Sequence, residues 1–148
     1  MSRKLVLVHL AALIALAFTS VAAVADEHPY SEGPVVNISR IRTADGHFEE
    51  YLKFVSTKWK QEQELAKKAG DVLSYEVIAV EPRTPDEPDL LLVVYYKNWA
   101  ALDGSIAKSD AIAKAVDGSI AAAEKGDADR ASVRRILGSY TAQVLNLK

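Results

Sequence analysis

Behind the positive pair Arg3-Lys4, the chain is apolar from Leu5 to Phe18 at every position except His9. The run ends in Val21-Ala22-Ala23-Val24-Ala25, where Ala23 and Ala25 form the small-x-small pattern that a signal peptidase accepts. The polar stretch Asp26-Glu27-His28-Pro29 then closes it. Residues 1–25 therefore read as a signal peptide cleaved after Ala25, giving a periplasmic or secreted protein. An uncleaved anchor is the alternative, since Leu5 to Ala25 is about long enough to span a bilayer. No later stretch approaches 18 consecutive apolar residues.

Residues 26–34, with two prolines and a glycine, read as a flexible lead-in to a domain over 35–148. Val35 to Thr43 is rich in β-branched residues and predicts a first strand. Val36, Ile38, Arg40 and Arg42 share one of its faces; Val35, Asn37, Ser39 and Ile41 share the other. The turn Ala44-Asp45-Gly46 leads into the strongest helical pattern. There Phe48, Tyr51, Leu52, Val55, Trp59, Ala66 and Ala69 recur at steps of three and four. Acids lead, lysines close, and Gly70 stands where a C′ glycine belongs. The charge run Lys58 to Lys68 reads as the solvated face of that helix.

Asp71 to Val80 and Asp89 to Lys97 predict the second and third strands, joined by a loop that three prolines keep irregular. The third strand is apolar on both faces from Leu90 to Tyr96, as suits a central strand. Asn98 is placed to cap the next helical stretch, which runs with glycine interruptions through Ile106, Ile112, Val116 and Ile120 to Lys125. A short helix carrying Val133, Ile136 and Leu137 is then expected between Asp127 and Gly138, before a last strand over 139–147.

The resulting order, β-α-β-β-α-β, is the ferredoxin-like split βαβ arrangement: an α+β fold with a four-stranded antiparallel sheet and helices on one face. The opposite face carries enough Val, Leu and Tyr that a second copy, sheet against sheet, is the expected cover. The strand VVNISRIRTADG running into the long helix, and LLLVVYYKNWAAL at the third strand, resemble the dimeric α+β barrel superfamily. That superfamily includes antibiotic-biosynthesis-type monooxygenases and stress-responsive barrel proteins. The resemblance spans about Val35 to Leu147 and implies two ferredoxin-like units closing into a homodimeric barrel, with small molecules bound between sheet and helices. Members that degrade haem use an axial histidine from the second helical region. No histidine follows His47 here, so that activity does not carry over.

Composition narrows the chemistry. Of 148 residues, removing 25 leaves 123, enough for one domain with one core. Without Arg3 and Lys4, 16 basic residues face 20 acidic ones, a net −4 with no basic stripe, which argues against nucleic acid. Zero cysteines exclude disulfides, thiolate metal sites and a cysteine nucleophile. There is no paired histidine at metal spacing, no phosphate loop or dinucleotide fingerprint, and no Gly-x-Ser-x-Gly elbow. The sequence therefore calls for no metal and no cofactor.

The remaining candidates are ligand-binding side chains. Trp99 and Tyr96 lie at a strand-to-helix junction, where sites of the superfamily open, and supply aromatic area with polar tips. An ordinary core role is the alternative for these and for Tyr75, Tyr95 and Trp59. Arg40 and Arg42 are planar bidentate donors suited to clamping a carboxylate or phosphate, or else to pairing with Glu76 or a partner subunit. Asn37 and Ser39 offer polar contacts. His47, at the start of the long helix, is disfavoured as a protonated base by the helix dipole but can serve as a neutral ligand or donor. The favoured expectation is a barrel that binds a small, partly apolar molecule. A cofactor-free monooxygenase acting on an aromatic substrate is the enzymatic rival, and a stress-related structural dimer without ligand is the third reading.

Overall fold

A computed structural model describes residues 28–148; the expected signal peptide lies outside the described residues. The elements are β1 (Tyr30–Thr43), α1 (Phe48–Phe54), a π-helical segment (Val55–Trp59) and α2 (Lys60–Ala69). They continue with β2 (Val72–Ala79), β3 (Leu90–Tyr96), a 3-10 turn (Trp99–Leu102), α3 (Ser105–Asp117), α4 (Ile120–Asp129), a second 3-10 turn (Arg130–Ser132) and β4 (Arg134–Leu147). The fold is α+β, with one antiparallel four-stranded sheet in the order β2-β3-β1-β4. β1 and β2 run the same way, because each is antiparallel to the β3 strand between them. Among the described residues, no helix is long and apolar enough to cross a membrane.

Two boundaries differ from the sequence pattern, each for a visible reason. β1 begins at Tyr30, inside the expected lead-in, because Tyr30, Ser31 and Glu32 pair with Leu147, Asn146 and Leu145 of β4. Pro34 is accommodated by a shift of register between Glu32 and Val35, where its missing N–H breaks no ladder bond. At the other end, the expected short helix with Ile136 and Leu137 is strand instead. α4 runs through Gly126 to Asp129, and Gly138 does not end a helix. It sits at φ +123 where the register slips between Arg40 and Ile41, so it is the glycine of a β-bulge.

The core lies where the long helical unit meets β2, β3 and one end of β1. Ile41, Leu90, Leu92, Tyr51, Val55 and Val133 form one buried cluster; Ala66, Val72 and Val94 form a second. Trp59 packs against both. Thr57 Oγ1 donates to the Lys53 carbonyl at 2.7 Å and Ser56 Oγ to the same carbonyl at 3.1 Å. Such side-chain bonds compete with the backbone ladder, and the helix widens to π geometry at this point. Gly70, at φ +85, closes the unit as expected.

Candidate functional site

The helix-facing side of the sheet changes character across its width. On β2 and β3 it is apolar, through Val72, Leu90, Leu92 and Val94. On β1 and β4 the middle positions are polar and satisfy one another. The Ser39 and Ser139 hydroxyls lie 3.0 Å apart, and Asn37 Nδ2 donates to Thr141 Oγ1 at 3.0 Å. Such a surface gives an apolar helix stripe nothing to bury. Accordingly α3 and α4 contain no buried residue, and Ile106, expected on an apolar face, is 80% exposed. The helix layer is seated on one half of the sheet and open over the other.

Two cavities of about 200 Å³ each lie in this interlayer space, and Glu62 borders both. The first has Ile41 and Leu92 as its apolar floor and Tyr51 and Trp59 as walls, with Glu62, Asp127, Arg130 and Arg134 as charged groups. The second is lined by Tyr96, Val72, Ile112, Asp71 and Lys108; the last two form an ion pair at 2.8 Å. A larger groove of about 450 Å³ runs between the long helical unit and β2, past Leu52, Trp59, Tyr75 and Val77. Its charged rim of Glu49, Lys53 and Lys60 is exposed, so it gathers no buried charge.

The electrostatics single out the first cavity. The Arg134 side chain is 7% exposed and pairs with Asp127, which also takes a contact from Arg130 at 3.4 Å. Arg130 lies over the Phe54 ring at 3.8 Å, in cation–π geometry. The Nε hydrogens of both Arg130 and Arg134 are buried and meet no acceptor. Burial pushes the Tyr51 hydroxyl above the usual tyrosine range, opposed by the neighbouring Arg134 guanidinium. Burial also raises Glu62, with the Asp117 carboxylate adding to it. The site thus offers cationic donors with buried Nε groups, a carboxyl whose pKa burial raises and a flat apolar wall. It can take a ring and hydrogen-bond an oxygen on it.

Of the residues expected from sequence, Tyr96 enters the second cavity, and burial raises its hydroxyl pKa. Trp99 stands on the same side of the sheet, 49% exposed, with its indole N–H donating to Gln143 Oε1 at 3.0 Å. Asn37 faces the helix layer but is committed to Thr141. Arg40 and Arg42 leave β1 on the opposite face, and His47 is engaged by Glu50 at 2.7 Å outside the gap. Glu62, Tyr51, Arg130 and Arg134 were not singled out as candidates. For Glu62 a signal exists: it continues the Val55–Trp59–Ala66 stripe at helical spacing, so a carboxylate falls on an apolar face. The charge run is accordingly not all solvated, since Glu62 turns inward and Lys58 pairs with Asp117.

Among the described residues, no group of three or more His, Asp or Glu side chains is placed to hold a metal ion. No family model and no curated protein matches the chain. Among solved structures, it is similar to the crystal structure of PA3566 from Pseudomonas aeruginosa. The two are 13% identical, and the match covers 82% of this chain and 100% of that one with a TM-score of 0.39.

Proposed function

We propose that this chain binds a small, partly apolar molecule bearing an oxygen acceptor in the gap between its helices and its sheet. The observation that carries the reading is the pair of acceptorless buried guanidinium Nε donors, Arg130 and Arg134, beside an Ile41–Leu92–Trp59 apolar surface. A cavity of ~150 Å³ is enough for benzene, so about 200 Å³ suits one substituted ring. The enzymatic alternative, a cofactor-free monooxygenase on an aromatic substrate, draws on Glu62 as a proton donor to a developing oxyanion.

The same proposal includes the ferredoxin-like class, a homodimer and export. Read from its other edge, the sheet order is β4-β1-β3-β2, which supports the split βαβ reading. The helix-free face carries the cross-strand row Glu76, Val93, Ile38 and Tyr140, flanked by Leu91 and Tyr95; Glu76 and Tyr140 are exposed, while Val93 is already covered by its neighbours. A second copy laid sheet to sheet is the cover that fits it. The leader pattern Arg3-Lys4, Leu5 to Phe18 and Ala23-x-Ala25 supports export.

Native mass spectrometry of the protein purified from its own cell reads dimer and ligand together. Titration of phenols and aromatic acids against Trp59 fluorescence then measures binding. We expect a dimer, and a saturable quench weakened in Ser139→Leu, which puts a bulky side chain into the lining of the first cavity. A monomer at micromolar concentration overturns the dimer, and quenching that Ser139→Leu leaves unchanged overturns the site.

A further inference from the structure

Where β1 runs out into the turn before α1, the chain gathers arginines around a different space. A cavity of about 350 Å³ is lined by Arg42, Arg134 and Arg135, together with Thr43, Asp45 and Pro85. Arg42 and Arg135 are direct partners in the β1–β4 ladder, so both side chains leave the same face of the sheet. Like charges directly opposite one another on a sheet repel. Carboxylates answer two of the three arginines: Arg134 pairs with Asp127, and Arg135 with Asp86 at 3.2 Å. Arg42 forms no ion pair among the described residues, and its Nη1 is shut from solvent without a hydrogen-bond partner. The Thr43 hydroxyl donates to Asp89 and makes no hydrogen bond to Arg42 Nη1.

We propose that this cavity is an oxyanion site, taking the carboxylate or phosphate group of a small ligand between Arg42 and Arg135, with Arg134 as its buried wall. A guanidinium is planar and permanently charged, so it can keep one edge against the protein while the other grips two oxygens. An anion bridging Arg42 and Arg135 turns a cross-strand repulsion into two charge-assisted contacts. Asp45, exposed on the turn, opposes negative charge at the rim and favours a ligand whose charged group points inward. The two cavities share Arg134, but Arg42 and Arg135 line only this one and Trp59 only the other, so the arginine resonances of Arg42 and Arg135 report on this site alone.

The test is titration of inorganic phosphate and, separately, succinate into isotope-labelled protein at constant ionic strength, following the arginine Nε–Hε resonances. We expect saturable shifts at Arg42 and Arg135, weakened roughly tenfold or more in Arg42→Gln and less in Arg42→Lys. His47→Gln, a nearby change outside the cavity, should leave the titration as it was. Saturation by phosphate alone assigns a phosphoryl ligand and by succinate alone a carboxylate; either supports the site. Shifts that never saturate overturn it, including the case where a carboxylate of a second copy already fills the cavity. Saturable binding that survives in Arg42→Gln overturns it too. Should Arg42→Gln lose amide dispersion, Arg135→Gln serves as the same test from the other strand.

Discussion

Replacing Asp127 by Ala isolates the buried charge on which the interlayer site is built. Asp127 is the carboxylate that pairs with Arg134, whose side chain is 7% exposed, while Asp127 itself is 59% exposed. Removing one partner of a fully buried pair costs about 3–5 kcal/mol, because the other charge is left without compensation. An exposed pair is worth about 0–1 kcal/mol. Here the ion left behind is buried but the one removed is largely hydrated, so the loss should fall between these limits, at about 2 kcal/mol. The Arg134 Nε already lacks an acceptor, and the Tyr51 hydroxyl beside the guanidinium, being neutral, replaces none of the lost charge. Urea unfolding at fixed protein concentration measures the change, and a domain of this size should also lose about 4–8 °C in Tm. Asp129→Ala, which removes the solvent-exposed partner of Lys125, is the control and should stay within about 0.5 kcal/mol. Arg134→Met should cost less than Asp127→Ala, since an apolar chain of similar length leaves no buried charge. If Asp127→Ala is no worse than Asp129→Ala, the Arg134 guanidinium is hydrated and the site is misread.

Glu62→Gln should flatten the pH dependence of stability. Its folded-state pKa is raised by burial and by Asp117, so as pH climbs the unfolded chain gives up this proton first. Its contribution is therefore fully present below the ordinary glutamate range and lost as pH rises from about 4.3 through the folded value. Urea midpoints compared across pH for both proteins should diverge upward, with the Gln variant the more stable at neutral pH; parallel curves would remove Glu62 from the buried site. Gly138→Ala forces a Cβ onto a backbone at φ +123 and should cost about 1–3 kcal/mol in the same assay, although nothing crowds the position. Leu90→Ala, at a residue 1% exposed, should cost about 2–5 kcal/mol; a value under 1 would mean that the core is not where Leu90 sits.

The elements legible in the sequence were those with an uninterrupted period. The Phe48–Ala69 stripe, Gly70 as its stop and the both-faces-apolar third strand all follow from side-chain spacing, and each stands in the structure. What escaped depends on partners distant in the chain. Tyr30 to Glu32 are polar enough to pass for a lead-in, and only pairing with 145–147 makes them strand. Ile136 and Leu137, beside a glycine, carry no local sign that the glycine marks a bulge. Arg130 and Arg134 lie in or beside that segment, so their convergence with Tyr51 and Glu62, about seventy to eighty residues earlier, is invisible to any window of neighbours. Glu62 alone was within reach, as an acid on an apolar stripe.

The half-polar sheet explains why a gap lies between the layers of this fold at all. Had Asn37, Ser39, Ser139 and Thr141 been apolar, β1 and β4 would have offered α3 and α4 a surface to bury, and the layers would have closed. Those four side chains hydrogen-bond in cross-strand pairs and provide little hydrophobic attraction. α3 keeps one apolar contact, Ile112 against the Ala66–Val72–Val94 cluster, and ion pairs hold the second helical layer elsewhere. Lys58 reaches from the long helical unit to Asp117, and Lys108 from α3 to Asp71. The Lys108–Asp71 pair is partly exposed on both sides and weak, whereas the Asp117 carboxylate is 8% exposed, so its pairing with Lys58 is the firmer tie. A layer tethered by charges over a polar strip can admit a small molecule without first breaking a core. The residues that make the sheet a poor seat for a helix are thus the same ones that leave room for a ligand beside Arg134.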